Sequence, residues 1–149
     1  MIKISKYMNP QMVAFLDASD REQALKQLIH AVQESGMIQD ENVFYEAISD
    51  REKIVSTGIG MGVALPHAKL ADYENFFIAI GVLQKGIEWD SLDGAPVRLI
   101  FMIGGPDDKQ TEYLQILSHL TNAIKNEERR KKMLTLNSKE AIIEIFKTF

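Results

Sequence analysis

A chain with three histidines and no cysteine has few side chains that can act as a nucleophile or a soft metal ligand near neutral pH. His67 is set apart from the other two by its surroundings. It follows Pro66 directly and lies near the end of STGIGMGVALPHAKL, residues 56–70, in which Gly58, Gly60 and Gly62 alternate. Glycines permit tight turns and leave backbone amides unshielded, and Pro66 fixes the approach to the histidine. This combination can aim an imidazole outward and surround it with N–H donors, a nest for an anion. A neutral imidazole keeps a lone pair at physiological pH and can attack phosphorus, giving a labile phosphohistidine suited to a relay. Such a transfer needs positive charge and amides around the phosphoryl oxygens. Arg51, in SDREKIVSTGIG, stands where a guanidinium could reach back and fork onto those oxygens. Spacing alone leaves two plainer readings open. His67 is then a turn residue capping a strand, and Arg51 a surface arginine beside Glu52.

Other chemistries find less support. The three alternate glycines give GxGxG, whereas a dinucleotide fingerprint needs GxGxxG between a strand and a helix. There is no GxxxxGK[ST] phosphate loop and no GxSxG serine elbow. Asp72 is the nearest downstream carboxylate to His67, and no recognised metal-ligand spacing surrounds the pair. No metal and no cofactor is therefore called for. The net charge of −4 argues against general nucleic-acid binding, and the basic run ERRKKM at 128–133 reads as a solvated helix face. The opening residues MIKISKYMNPQ lack the apolar core of a signal peptide. The longest apolar run, 76–83, is too short to cross a bilayer. A soluble cytoplasmic protein without membrane insertion is expected.

The elements that must position these residues follow from periodicity. Residues 12–16, MVAFL, read as a strand. Ser19 and Glu22 read as a capping box opening a helix whose apolar face is Leu25, Leu28, Ile29 and Val32, with Gly36 as its stop. Asp40 caps a second predicted helix, 41–53, with Val43, Phe44, Ala47 and Ile48 inward. Residues 63–65 form a brief strand into Pro66. Residues 76–83 and 97–103 read as buried strands, separated by a turn region at 85–97. A third helix starts near Asp107 or Asp108 with Tyr113, Ile116, Leu117, Leu120 and Ile124 as its stripe. Two shorter helices lie near 127–134 and 139–147, the last capped by Asn137 or Ser138. His30 falls opposite the apolar face of the first helix and His119 on the flank of the third, so both read as bystanders. The 149 residues suit one domain, 1–149, of α/β class: a mixed β-sheet flanked by α-helices.

The motif REKIVSTGIGMGVALPHAKL resembles the signature of the fructose/mannitol-type (type 2) enzyme IIA domains of the bacterial phosphoenolpyruvate-dependent phosphotransferase system. The arginine and acidic residue, the TGIG turn, the third glycine and the Pro-His stand in order at the family spacing. GIEWDSLDGAPVRLIFMIGGP, 86–106, also looks like that family's central turn and strand, and HAKL after the motif is most like the nitrogen-regulatory branch. The resemblance implies that His67 accepts a phosphoryl group from the phosphohistidine of HPr or an HPr-like carrier. It then passes the group to a cysteine of a separate IIB protein or uses it as a regulatory state. It implies that Arg51 steadies the phosphoryl group, and it implies no metal for the transfer. One departure is visible. Many members carry a second active-site histidine where YLQIL here puts Tyr113, whose hydroxyl is a candidate hydrogen-bond donor to the site. Gly58, Ile59, Gly60, Met61 and Gly62 are the candidate partner-binding loop, since Ile59 and Met61 sit between glycines and at least one should be exposed. Two alternatives to a regulatory carrier are a IIA component of a sugar uptake route with separate IIB and IIC chains, and a IIA-like binding protein that is never phosphorylated.

Overall fold

The computed structural model describes residues 2–148. The chain opens with two 3-10 turns, Ile4–Tyr7 and Pro10–Met12. Then come β1 (Val13–Leu16), α1 (Arg21–Glu34), α2 (Glu41–Ile54), β2 (Gly58–Gly60), β3 (Val63–Ala64), β4 (His67–Lys69), β5 (Phe77–Ile87), β6 (Val97–Gly105), α3 (Gln110–Ile124), α4 (Glu127–Thr135) and α5 (Lys139–Lys147). The architecture is the expected mixed sheet between helical layers. No helix among the described residues is long and apolar enough to cross a membrane.

β5 and β6 pair antiparallel at the centre of the sheet, and β1 joins β5 in parallel. On the other side β6 takes both β3 and β4 in parallel, and β2 closes the edge antiparallel to β3. β3 lies beside Leu99 and Ile100, and His67 of β4 beside Ile103. Residues 63–69 are thus one strand interrupted at Leu65 and Pro66. Pro66 has no N–H to give the ladder, but its carbonyl still accepts from Ile103 at 3.0 Å. The interruption is a skipped donor, and it leaves His67 anchored on the central strand.

Side-chain alternation sorts the core into two layers. Ile78, Ile80, Leu99, Phe101 and Ile103 face α3 and α5. Phe77, Ala79, Leu83, Ile100 and Met102 face α1 and α2. Strand β6 runs through Gly104 and Gly105, where an added Cβ would meet the Phe77 ring at 2.4 Å and the Phe76 ring at 2.2 Å. The glycines expected to end this strand instead make room for aromatic rings across the sheet. At the ends of the chain, Ile4, Tyr7 and Met8 pack with Ile142, Ile143 and Phe146. Lys3 Nζ donates to the carbonyl of Lys147 at 3.2 Å.

Four local expectations shift. The cap of α1 is Asp20, which accepts from Gln23 N–H, and Gln23 in turn accepts from Ser19. The box is therefore one residue later than Ser19 and Glu22, and Glu22 pairs with Lys26 instead. Val43 is exposed, because the buried face of α2 follows the four-residue spacing of Phe44, Ile48 and Glu52, and Val43 lies about 100° round from Phe44. β5 runs on to Ile87 past a register shift, pairing Ile87 with Val97. Lys85, Gly86 and Ile87, read as the start of the turn region, extend the strand instead, and Gln84 and Lys85 form its exposed, solvated part. α3 begins at Gln110, with no side chain capping it. The Ser138 cap of α5 and the Asp40 cap of α2 are as expected.

Candidate functional site

Residue alternation along 63–69 decides which way His67 points. Val63 and Leu65 belong to the layer under α3, and Ala64 and Ala68 to the opposite layer. His67 shares the first face and meets Tyr113 of α3, with ring centroids 5.7 Å apart. Arg51 comes from the last turn of α2 and donates from Nε to His67 Nε2 at 3.2 Å, while its Nη1 donates to the carbonyl of Val55 at 2.8 Å. The other ring nitrogen, Nδ1, lies 3.2 Å from the carbonyl oxygen of Leu65. A carbonyl can only accept, so Nδ1 carries the proton, and Nε2 presents its lone pair to Arg51. The tautomer follows from the partners on either side.

Burial is the largest influence holding the His67 pKa below 6.5, and the positive charges of Arg51 and Lys69 act the same way. The hydrogen bond to Leu65 and the charge of Glu52 pull in the other direction without prevailing. A half-buried imidazole in this setting stays neutral through the physiological range. Its Nε2 opens into a cleft of about 460 Å³ whose walls include Arg51, Ile59, Met61, Leu65, Tyr113 and Leu117. A larger groove of about 950 Å³ between α4 and α5 has no histidine among its lining residues. The smaller cleft is the one that His67 and Arg51 line.

Each residue singled out from sequence now has a place. Arg51, His67 and Tyr113 converge on one cleft. Tyr113 is buried, its contact with His67 is ring to ring, and burial pushes its hydroxyl pKa up, so the phenol stays neutral. Gly58 and Gly60 are buried behind the loop, Gly58 against Ser91 and Gly60 against Asp93. Met61 forms the turn of the β2–β3 hairpin with Gly62, at φ values of 61° and 75°. Its N–H is held by Asp93 at 3.0 Å, and its side chain is 41% exposed at the cleft mouth. Ile59 is partly buried in the same wall. His30 pairs with Glu34 and Glu41, and His119 sits on the outer face of α3. Both lie outside the cleft.

Two residues near the site were not weighed in the sequence for a role there. Lys69 is two residues after His67 on β4, hence on the same face. Its Nζ lies 4.4 Å from the centroid of the Tyr113 ring and donates to Gln110 Oε1 at 2.8 Å. Glu52 reads from sequence as a partner for Arg51, but it points inward and is 5% exposed. The available signal was its place on the Phe44–Ile48 face of α2, where a carboxylate calls for partners. It has them: Thr57 N–H at 3.1 Å, the Thr57 hydroxyl, and Trp89 Nε1–H at 3.3 Å.

A neutral histidine with a fixed tautomer, an arginine on its free nitrogen, and a second cation on the same face make a suitable acceptor for a phosphoryl group. A model of the family described as phosphoenolpyruvate-dependent sugar phosphotransferase system, EIIA 2, matches residues 6–148. The chain is 34% identical over 145 residues to the fructose-specific EIIABC component of Bacillus subtilis, a match covering 97% of this chain and 23% of that protein. It is 31% identical over 125 residues to the fructose-specific EIIA component of Haloferax volcanii, covering 84% of this chain and 81% of that one. In three dimensions it resembles the nitrogen regulatory protein IIA-Ntr of Neisseria meningitidis with a TM-score of 0.89 at 25% identity, covering 96% of this chain and 98% of that one. This chain belongs to the EIIA 2 family of the phosphoenolpyruvate-dependent sugar phosphotransferase system.

Proposed function

We propose that the protein is a cytoplasmic phosphohistidine carrier that takes a phosphoryl group from the phosphohistidine of HPr or an HPr-like protein onto His67 Nε2. The observation that carries this reading is the pair of bonds on the His67 ring, Nδ1 to the Leu65 carbonyl and Nε2 to Arg51 Nε. In the transfer, the Nε2 lone pair forms the new N–P bond. The donor's N–P bond breaks, and its electron pair returns to the donor imidazole. As the bond forms, the His67 ring gains positive character, and its Nδ1–H bond to the Leu65 carbonyl strengthens. The Arg51 donor, no longer facing a lone pair, is free to turn to the phosphoryl oxygens. Lys69 adds positive charge on the same face. No step requires a general base, because Nε2 bears no proton.

The phosphoryl group then passes to a thiol of a IIB protein or serves as a regulatory state. These 149 residues contain no cysteine, so a thiol acceptor lies outside them. The regulatory reading finds support in the likeness to IIA-Ntr, and the transport reading in the fructose-specific relatives. Incubation with phosphoenolpyruvate, enzyme I and HPr tests the carrier reading. Acid-labile phosphate is expected on the intact protein and is lost in His67→Ala. Absence of label on the wild type, or label remaining at His30 or His119 in that variant, overturns the assignment. Adding a IIB protein to the labelled chain separates the two fates: rapid loss of label to the IIB cysteine indicates transport, and retention indicates a regulatory state.

A further inference from the structure

Among the described residues Glu52 is the only buried charged side chain, and the carrier chemistry above makes no use of it. A carboxylate that gives up water needs donors in its place. Those of Glu52 come from Thr57, in the cleft wall, and from Trp89, outside it. Thr57 gives its N–H at 3.1 Å and its hydroxyl, and Trp89 gives its indole N–H at 3.3 Å. Arg21 Nη1 lies 3.7 Å from the second oxygen. The path continues beyond Thr57. Its carbonyl accepts from Leu65 N–H at 3.0 Å, and the Leu65 carbonyl accepts from His67 Nδ1–H at 3.2 Å. Arg51, the preceding residue, donates directly to His67 Nε2.

Two consecutive residues in the last turn of α2 therefore reach both nitrogens of the imidazole, one directly and one through Thr57 and Leu65. We propose that Glu52 is a positioning residue that keeps His67 in its Nδ1–H tautomer with Nε2 aimed into the cleft. The proposal rests on the carrier reading only for its consequence in transfer; the tautomer is a property of the protein without phosphate. Without the carboxylate, Thr57 loses the acceptor for both its N–H and its hydroxyl. The Leu65 carbonyl is then no longer fixed opposite Nδ1. An imidazole released there can take the Nε2–H tautomer, which turns an N–H toward the Arg51 donor and removes the lone pair from the cleft.

The experiment compares wild type, Glu52→Ala, Glu52→Gln and Thr57→Ser labelled with 15N at histidine. The ring nitrogen shifts of His67 are read well above its pKa, together with Tm and the rate of phosphoryl acceptance from phosphorylated HPr. Wild type and Thr57→Ser should show the Nδ1–H tautomer alone. Glu52→Ala should show a mixture. Glu52→Gln, whose single carbonyl oxygen cannot serve Thr57 N–H and Trp89 Nε1–H together, should fall between. Acceptance should drop in the same order, by about ten- to a hundredfold for Glu52→Ala. If Glu52→Ala does not fold, Glu52→Gln carries the test. A folded Glu52 variant with lower Tm but the wild-type tautomer and rate overturns the proposal and leaves Glu52 a support of the fold. The tautomer needs no phosphoryl donor, so a wild type that cannot be phosphorylated sinks the carrier reading and leaves the positioning result standing.

Discussion

At His67 the balance of neighbours decides how the site responds to acid. Burial, Arg51 and Lys69 lower its pKa against the opposing Leu65 bond and Glu52 charge, so the folded protein holds the imidazole proton less tightly than the unfolded chain does. Phosphoryl acceptance should stay flat through neutrality and fall only below the ordinary 6.5, as Nε2 takes a proton. Stability carries the matching sign. The unfolded chain binds this proton first, so His67 contributes nothing at higher pH and costs stability as pH drops from 6.5 toward the folded pKa. Replacing Lys69 by Met removes one of the lowering charges. His67 should then titrate at a higher pH by NMR, and transfer should slow; an unmoved pKa would show that Lys69 is screened from the ring. Arg51→Ala removes a charged donor and should slow acceptance by about ten- to a hundredfold. Tyr113→Phe keeps the ring that lies against His67 and beneath Lys69. It should stay within about tenfold of wild type, the reach of one neutral hydrogen bond. A Tyr113→Phe loss as large as that of Arg51→Ala would show that the hydroxyl acts directly on the phosphoryl group.

Among the elements, the β2–β3 hairpin has a local sequence that disagrees with its backbone. Both central residues of its turn have positive φ, a conformation in which hairpins ordinarily use Asn-Gly or Gly-Gly, and here the first is a methionine. The left-handed backbone costs a residue with a side chain roughly 1–2 kcal/mol, partly offset in a glycine replacement by its greater freedom when unfolded. Met61→Gly should therefore leave thermal stability equal or up to about 1 kcal/mol higher, yet weaken transfer from HPr, since the apolar contact at the cleft mouth is gone. Met61→Asp should weaken transfer further without lowering Tm. If Met61→Gly transfers like wild type, the exposed methionine has no part in docking. The hairpin also marks where sequence reading stops. His67 and Arg51 were legible because the spacing that carries them is short-range, and the α3 stripe because Tyr113, Ile116 and Leu120 follow the helical period. Glu52 was visible as a residue but not as a buried one, because its partner Trp89 comes from a distant segment of chain. Lys69 was hidden until 67–69 was known to be a strand, since only then do His67 and Lys69 share a face. The far end of β5 was not legible because Gln84 and Lys85 are polar and exposed and lie in the register shift between Val82 and Ile87.

Across the whole molecule, β6 carries two adjacent glycines whose missing side chains make room for the rings of Phe76 and Phe77. Gly104→Ala should be strongly destabilising, because its Cβ has Phe77 at 2.4 Å and Phe44 at 2.9 Å and the close-packed layer has little room to yield. A loss of about 1–3 kcal/mol by denaturant unfolding is expected. An unchanged midpoint would mean that the aromatic layer is looser than its geometry. The opposite situation holds where Lys3 meets Lys147. Because the two ends of the described chain lie side by side on one seam, the fold is topologically close to a ring. A protein of this shape can be inserted into a longer polypeptide at a single point, with little of the host displaced, and its numbering can be rotated without moving an atom of the core. A circular permutant joining the first and last residues through a short Gly/Ser linker, and opened at the exposed Gly36 turn between α1 and α2, should fold and accept phosphate on His67. Its Tm should lie within about 10 °C of the parent. Failure of that permutant to fold, with the linker alone tolerated, would show that the α1–α2 corner must be continuous for the sheet to assemble.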